Sequence, residues 1–598
     1  MKSDVIKVLG AASFAEFPTI RFPGTVVWCN FDLAREVGFD VPPANRLTPE
    51  LHEQLITSLS LRAVAPAEIN GHQTVTMYAD KYGGDGVSPA LGAGRAGFLA
   101  DGNTYVKGIG FTPLFRHNDK DDFVHSHGGV HFEDCLSEAV FGEVNHNLFT
   151  LGSTRIVAII DQGLHVTEPS GRQRPIALAT RVGPQLRPGH LLARRTRGSQ
   201  SPLEMFVRMT SATDQLVGDG VPDISATMLR VIDDHAQAAA ESFRWRMIHG
   251  ALSPSNMDLS AAMLDLPTQS TQPRTAPIFK LDYFDSKFGT EHKHRGYYLA
   301  EMYRRVLTTT DASTRERFNA KWVNVSNEMD QAYMKHLPVK MLGAAGLRPQ
   351  IAKQICTERF ELARTFTDLL LEMAALKNQG SACVARKVVE DVAVVDVFNL
   401  LRWSPRDYFS GNPRYLKHLR PVYKGNRFHI AAKKKKIETL TRDFAKVYGE
   451  LMSICAKHRD SIVVRAEFEN EPIDALYTSK LYEELNGAIA AYKSTGDREI
   501  IRDAIDSRVA RSLRSVDGLL AQGSSRRLPG GGLETQIRTI DGIRYSVRAW
   551  NNRAQTRKVR QVKNRSVIEF EVEPSCLVGH VRGYTFALPD RHDLLRMS

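Results

Sequence analysis

Cysteine is sparse in this chain: six among 598 residues, at positions 29, 135, 356, 383, 455 and 576, with no C-x-x-C pair. That spacing argues against a zinc knuckle, a thioredoxin-like redox pair and a disulfide scaffold alike. No run of about 18 apolar residues occurs, so no helix is expected to cross a membrane. Residues 1–17 hold Asp4 and Glu16 and only short apolar stretches, a poor signal peptide. A reducing cytoplasm is the expected location. No fixed-period repeat is found, which excludes a fibre, and 42% hydrophobic content is too high for a disordered chain. The length allows roughly two to four domains.

Charge is the skewed quantity. Lys and Arg number 79 against 67 Asp and Glu, a net +12. Such an excess suits an anionic ligand, but a solvated basic face produces it too. The two basic runs, Lys433–Lys436 and Arg553–Arg565, are not interleaved with aromatics, so nucleic acid is a disfavoured partner.

The pattern along the chain changes twice. Thr25–Cys29 and the runs 157–160 and 176–179 read as strands, and Thr48–Leu61 as a helix. Phe98–Leu99 and Thr104–Val106 flank Ala100-Asp101-Gly102-Asn103, the signature of a tight hairpin. Residues 130–142 read as a helix. Beyond Pro222-Asp223 the period becomes 3.6, with a long helix running to His249 and further helices at 293–310, 314–337, 348–378, 386–402 and 437–457. Residues 403–430 read as a loop. After a linker at 523–532, residues from Leu533 alternate as strands do. The expectation is an α+β protein of four parts: an N-terminal extension (1–77), a β-rich lobe (78–215), a large helical lobe (216–522) and a linker with a small β-rich C-terminal module (523–598).

Five features along this path have chemical content. Leu91-Gly92-Ala93-Gly94-Arg95 is a glycine turn whose backbone N–H groups can approach phosphate, with Arg95 adding charge. A glycine pair in a turn also serves purely structural ends. Lys107 follows on the second hairpin strand, and Glu133 lies 26 residues on in the next helix. A strand lysine held by a helix glutamate is a kinase-type arrangement; the plain alternative is a surface lysine. Asn256 and Asp265 could jointly hold Mg²⁺ or Mn²⁺ through hard oxygen ligands. Alternatively, they are a turn asparagine and a solvated carboxylate. Arg181 and Arg187, in Thr180-Arg181-Val182-Gly183-Pro184-Gln185-Leu186-Arg187, could clamp phosphate oxygens, or make structural salt bridges.

Together these segments resemble the selenoprotein O family of pseudokinase-fold protein adenylyltransferases, over roughly residues 33 to 296. Leu33-Ala34-Arg35-Glu36-Val37-Gly38, Leu91 to Ala96, Lys107 to Arg116, and His249 to Asp265 are similar to the family's motifs in the same order. The resemblance implies a protein-kinase-like two-lobed fold that binds ATP and Mg²⁺ with the nucleotide inverted. AMP, not phosphate, then passes to a protein or peptide acceptor. It assigns Lys107 and Glu133 to a catalytic pair, Gly92, Gly94, Arg95, Lys107, Asp119, Arg181 and Arg187 to ATP, and Asn256 and Asp265 to the metal.

Three departures stand out. The family's proton-accepting Asp is Ser255 here, which leaves Asp258 as the candidate base. The stretch Asn118-Asp119-Lys120-Asp121-Asp122 replaces the family's D-G-R-A. No cysteine follows residue 576, so the family's C-terminal redox residue has no counterpart. Alternatives to AMP transfer onto a hydroxyl are ATP-dependent activation of a carboxylate and an ATP-binding scaffold without turnover.

Overall fold

The computed structural model describes most of residues 4–512, leaving out chiefly 83–91, 116–126, 194–200, 214–221, 272–277, 375–396, 413–426 and 467–475; beyond 512 only strand backbones are described. The architecture is mixed α+β. Ten strands form one antiparallel sheet: β1 (Phe14–Arg21), β2 (Thr25–Cys29), β3 (Leu61–Ala63), β4 (Thr74–Asp80), β5 (Ala96–Phe98), β6 (Thr104–Lys107), β7 (Val130–His131), β8 (Arg155–Asp161), β9 (His165–Thr167) and β10 (Gln173–Val182). The order is β2-β8-β10-β6-β5-β4-β1-β3, with β7 and β9 also pairing β10. Three of these strands precede residue 64, so the sheet runs across the expected boundary at 77/78.

Local chemistry accounts for most of the elements. In the β5–β6 hairpin, Asp101 Oδ1 accepts from the Asn103 and Thr104 N–H groups at 3.0 and 2.9 Å, and Gly102 takes φ +62°. Both are what a tight Asx turn requires. Phe98 and Tyr105 then lie directly opposite, ring centroids 4.6 Å apart. Thr48 caps Pro49–Leu59, and Asp223 caps Ile224–Arg244 by accepting from Ala226 N–H at 2.9 Å.

The long helix does not reach His249. Trp245 donates its indole N–H to Leu148 O at 3.1 Å, Arg246 turns to φ +56°, and Met247–Ile248 form a two-residue strand against Ser270–Thr271. The expected 314–337 helix is two, Ala312–Arg317 and Val325–Ala344, broken at Asn319 (φ +47°) and restarted by the Asn324 cap. The 348–378 helix likewise divides into Pro349–Glu358 and Phe360–Ala374. Of 386–402, the described part is a helix from Val397 that continues through Pro405 to Phe409. The 437–457 helix starts earlier, at Arg427. Both trim the loop expected at 403–430. The C-terminal alternation is borne out as a backbone meander, Leu533–Arg538, Arg544–Ala549, Arg557–Lys563 and Ser566–Val572, paired in order; the stretch expected as a linker at 523–532 itself holds a strand, Ser525–Arg527, paired with Leu533–Arg538.

Two hydrophobic cores flank the sheet. One joins β1, β4, β5 and β6 to the helices of 203–452. The other packs the Phe132–Leu148 helix between strands β8 and β10 on one side and a late helical pair, Thr478–Thr495 and Glu499–Ser512, on the other. Leu481, Leu485, Ile489, Ile501 and Ile505 are buried there with Phe132, Leu136 and Val140. Each such side chain contributes about 1.5–3 kcal/mol over leaving it exposed. The late pair thus belongs structurally with the β-rich part, across 350 residues of chain.

Candidate functional site

Strand register gathers the site. Lys107 lies opposite Ala179, and Tyr105 opposite Arg181. Tyr105 also faces Phe98, which faces Tyr78, two residues before Asp80. Directly paired residues and i, i+2 neighbours share a face of a sheet. Asp80, Tyr105, Lys107 and Arg181 therefore come from three different strands onto one face.

The Phe132–Leu148 helix adds Glu138 to that face, and the loop after residue 256 adds Asp265. Lys107 Nζ lies 3.5 Å from Glu138 Oε2 and 2.5 Å from Asp265 Oδ1. Arg181 Nη2 donates to Asp265 Oδ1 at 2.6 Å and also pairs with Glu138. Two cations and two carboxylates balance. Arg181 and Glu138 side chains are each 1% exposed, whereas Asp265 is 29% exposed and forms the open side of the cluster. Burial works against the Asp265 charge, but Lys107 and Arg181 outweigh it and hold the carboxyl well below the usual range. Asp265 sits at φ +61°, ψ +70°, a left-handed conformation that Asp tolerates better than most residues.

The lysine partner is Glu138, not Glu133. Five residues separate them, which is about 140° around a helix, so one helix face cannot present both. Glu133 instead pairs with Arg174 on β10. Accordingly, Glu138→Gln is expected to lower any Lys107-dependent turnover at least tenfold, while Glu133→Gln changes it less than twofold. Initial rates on the two purified variants check this, and equal losses would reverse the assignment.

Arg187 belongs to an adjoining cluster. It stacks over Tyr82 at 4.6 Å, lies 3.7 Å from Asp80, and donates to Gln185 and to the Ser255 carbonyl. His190 Nδ1 accepts from the Arg187 backbone N–H at 3.0 Å, which leaves Nε2 protonated to donate to Asp80 Oδ2 at 3.0 Å. Burial raises the Asp80 pKa, but His190 and Arg187 bring it net below the usual range. Tyr82 feels both clusters: burial first, then Asp80 and Asp265, push its hydroxyl up to about 12.

The remaining expected residues divide. Gly92 has φ +145°, and a Cβ there would come within 2.0 Å of Asp80 O, so its glycine serves the chain's approach to β4. A Cβ on Gly94 would press on the Phe115 backbone at 3.3 Å. Arg95 donates to Gly129 O at 2.9 Å. Asn256 donates its amide to Ala251 O at 3.0 Å, which leaves Oδ1 as an acceptor. Asp119 lies outside the described residues. Among the described residues, no three His, Cys, Asp or Glu side chains group as a metal site.

Asp258 is not placed to act as a base. It is 1% exposed, and its carboxylate accepts from Leu186 N–H, Ser260 N–H and the Ser260 hydroxyl at 2.8, 2.9 and 2.6 Å. It ties the 256–260 loop to the 185–187 segment. Burial raises its pKa to about 6, against those hydrogen bonds. A carboxyl raised in the fold binds its proton there between about pH 4 and 6 while the unfolded chain has lost it. Stability is therefore expected to fall over that window, by ~3 kcal/mol for a two-unit shift. Chemical denaturation of wild type and Asp258→Asn at pH 4 and 6.5 checks this. The difference should move in favour of the Asn variant with rising pH, and a constant difference would contradict it.

No family model matches this chain, and no curated protein matches it. Glu138, Asp80, His190 and Tyr82 were not singled out as site residues in the sequence. Their signal is register and helix phase, which emerge only when strands are paired.

Proposed function

We propose that this chain is an ATP- and Mg²⁺-dependent adenylyltransferase built on a kinase-like, two-lobed arrangement, acting on a protein or peptide acceptor. The observation that carries the reading is the neutral Lys107–Arg181–Glu138–Asp265 cluster, assembled from a sheet strand pair, one helix and one loop, with Asp265 at the opening. A strand lysine, a helix glutamate and a loop aspartate are the parts a phosphate-handling cleft uses.

The chemistry of the donors suits the metal: Asp265 and the Asn256 Oδ1 would each offer a hard oxygen, and Mg²⁺ is commonly held by one or two protein oxygens with phosphate and water completing its shell. When bound, it neutralises phosphate charge. Lys107 and Arg181 now spend their charge on Asp265. A triphosphate would replace that partner for both cations and leave the Asp265 carboxylate to the metal. Arg187, held by Asp80, adds a fixed charge nearby. Stabilising negative charge on a departing pyrophosphate is what such cations contribute.

One observation favours a second reading for the acceptor. Asp258 is buried and bonded, and the Ser255 hydroxyl, 2.8 Å from Ser253 Oγ, is a poor base at neutral pH. A carboxylate acceptor is already ionised and needs no base, whereas a hydroxyl does.

Incubation with ATP labelled separately at the α and γ phosphates tests the proposal. Label from the α position on protein or peptide is expected; lability of that product to hydroxylamine marks an acyl-adenylate. Label from γ alone returns the chain to phosphoryl transfer. Tight ATP binding with no product from any offered acceptor leaves a scaffold.

A further inference from the structure

The late helical pair at 478–512 has no role in the reading so far, yet it touches the two elements that carry the acidic members of the cluster, the Glu138 helix and the Asp265 loop. The Tyr482 hydroxyl lies 2.6 Å from Asp134 Oδ1 and 2.9 Å from Pro267 O, its one proton shared between the two acceptors. Asp134 is one helical turn before Glu138, and Pro267 is two residues after Asp265. These contacts span 348 and 215 residues of sequence.

We propose that Tyr482 is a positioning residue that fixes the Glu138 helix and the Asp265 loop relative to each other, so that both carboxylates meet Lys107 and Arg181. The inference rests on the proposed function for its catalytic consequence, though not for its structural one.

The rest of the pair is fastened independently. Leu481, Leu485 and Ile489 are buried against the Phe132–Leu148 helix. Asp161, the last residue of β8, accepts from Lys493 Nζ at 2.6 Å and from the Tyr492 hydroxyl at 3.1 Å. The brace is therefore rigid toward the sheet without Tyr482. The loop, too, has supports of its own: the His249 ring meets Leu264 O at 2.7 Å, and Thr268 donates to His249 O at 3.0 Å. Removing one hydroxyl thus leaves the fold standing: the Asn145–Gln269 amide pair still joins the far end of the helix to the loop at 2.8 Å in both directions, and only the link at Asp134 and Pro267, the end nearer Glu138 and Asp265, is loosened. That link matters because Asp265 is held at a left-handed backbone position, and its oxygen serves two cations at once. A small rotation of the loop breaks two charged contacts together.

The test is Tyr482→Phe in the full chain, read by hydrogen–deuterium exchange without nucleotide and by transfer from α-labelled ATP. Exchange in peptides covering 134–140 and 264–268 should rise roughly tenfold, the scale of one lost hydrogen bond to a charged acceptor. Peptides covering 481–505 should stay as protected as in wild type. Transfer should show kcat down about tenfold with KM for ATP within about twofold, a split that a merely structural loss would not produce. Unchanged exchange in both segments overturns the proposal. So does faster exchange across 481–505 as well, which would make the hydroxyl an ordinary packing bond of the brace. Faster exchange with unchanged kcat overturns the positioning role. If wild type itself transfers no label, the adenylyltransferase reading fails, and exchange alone decides whether Tyr482 couples helix and loop.

Discussion

Replacing Asp265 with Asn is expected to reduce metal-dependent nucleotide transfer on the order of a thousandfold, with the protein still folded. Asn is the informative variant because it accepts the left-handed conformation at φ +61° nearly as readily as Asp, whereas Ala adds backbone strain to the loss of charge. The substitution removes the one exposed carboxylate of the cluster and leaves Glu138 alone against Lys107 and Arg181. Two consequences separate cleanly. On the proposed function, the site loses a hard ligand with that carboxylate, and an effect of several kcal/mol on turnover follows. The remaining cluster carries net positive charge, so ATP without Mg²⁺ should bind at least as tightly as to wild type. Calorimetry with and without the metal, beside rates from α-labelled ATP, measures both. Wild-type turnover in folded Asp265→Asn would remove this residue from the chemistry.

Much of the scaffold was legible because its signals are local. Thr25–Cys29 was read to the residue, the Asp101-Gly102 turn was placed, and the C-terminal alternation pairs as strands. Helix ends were less legible. Nothing in the 3.6 period around Phe243 reveals that Trp245 would reach Leu148 and stop the helix before His249. The break at Asn319 is similar: Ala312–Arg317 buries nothing, so no apolar period marks where that helix stops and the next, capped by Asn324, begins.

The cluster was legible in three of its four members and obscure in its pairing. Lys107, Arg181 and Asp265 meet, but a sequence does not announce that Ala179 stands opposite Lys107. Burial of β10 on both faces erases the alternation that would have shown which of its residues look toward the helix. Between Glu133 and Glu138 the choice depends on helix phase, which two acidic residues five apart cannot reveal alone. The partners of Arg187 were not legible: Asp80 and the Ser255 carbonyl reach its guanidinium from segments far off in the chain, beside Gln185 of its own segment.

The second large effect concerns Arg181, and it must be measured in a pair of variants. Truncating Arg181 alone leaves Glu138, 1% exposed, with only Lys107 at 3.5 Å to compensate it. Breaking a buried ion pair by removing one partner costs about 3–5 kcal/mol. Arg181→Met is therefore expected to destabilise the protein by that amount, visible as a large fall in the urea midpoint. Loss of activity in it would mix unfolding with chemistry. Arg181→Met combined with Glu138→Gln removes the pair as a unit, and similar-sized neutral side chains should restore most of the stability. What the double variant cannot restore is the charge offered to phosphate. On the proposed function, transfer from α-labelled ATP should be about 30- to 1000-fold below that of Glu138→Gln alone, the equivalent of ~2–4 kcal/mol for one charge-assisted contact made in the complex. A double variant that is stable and transfers label as fast as Glu138→Gln alone would make Arg181 a structural counter-ion of Glu138 and nothing more.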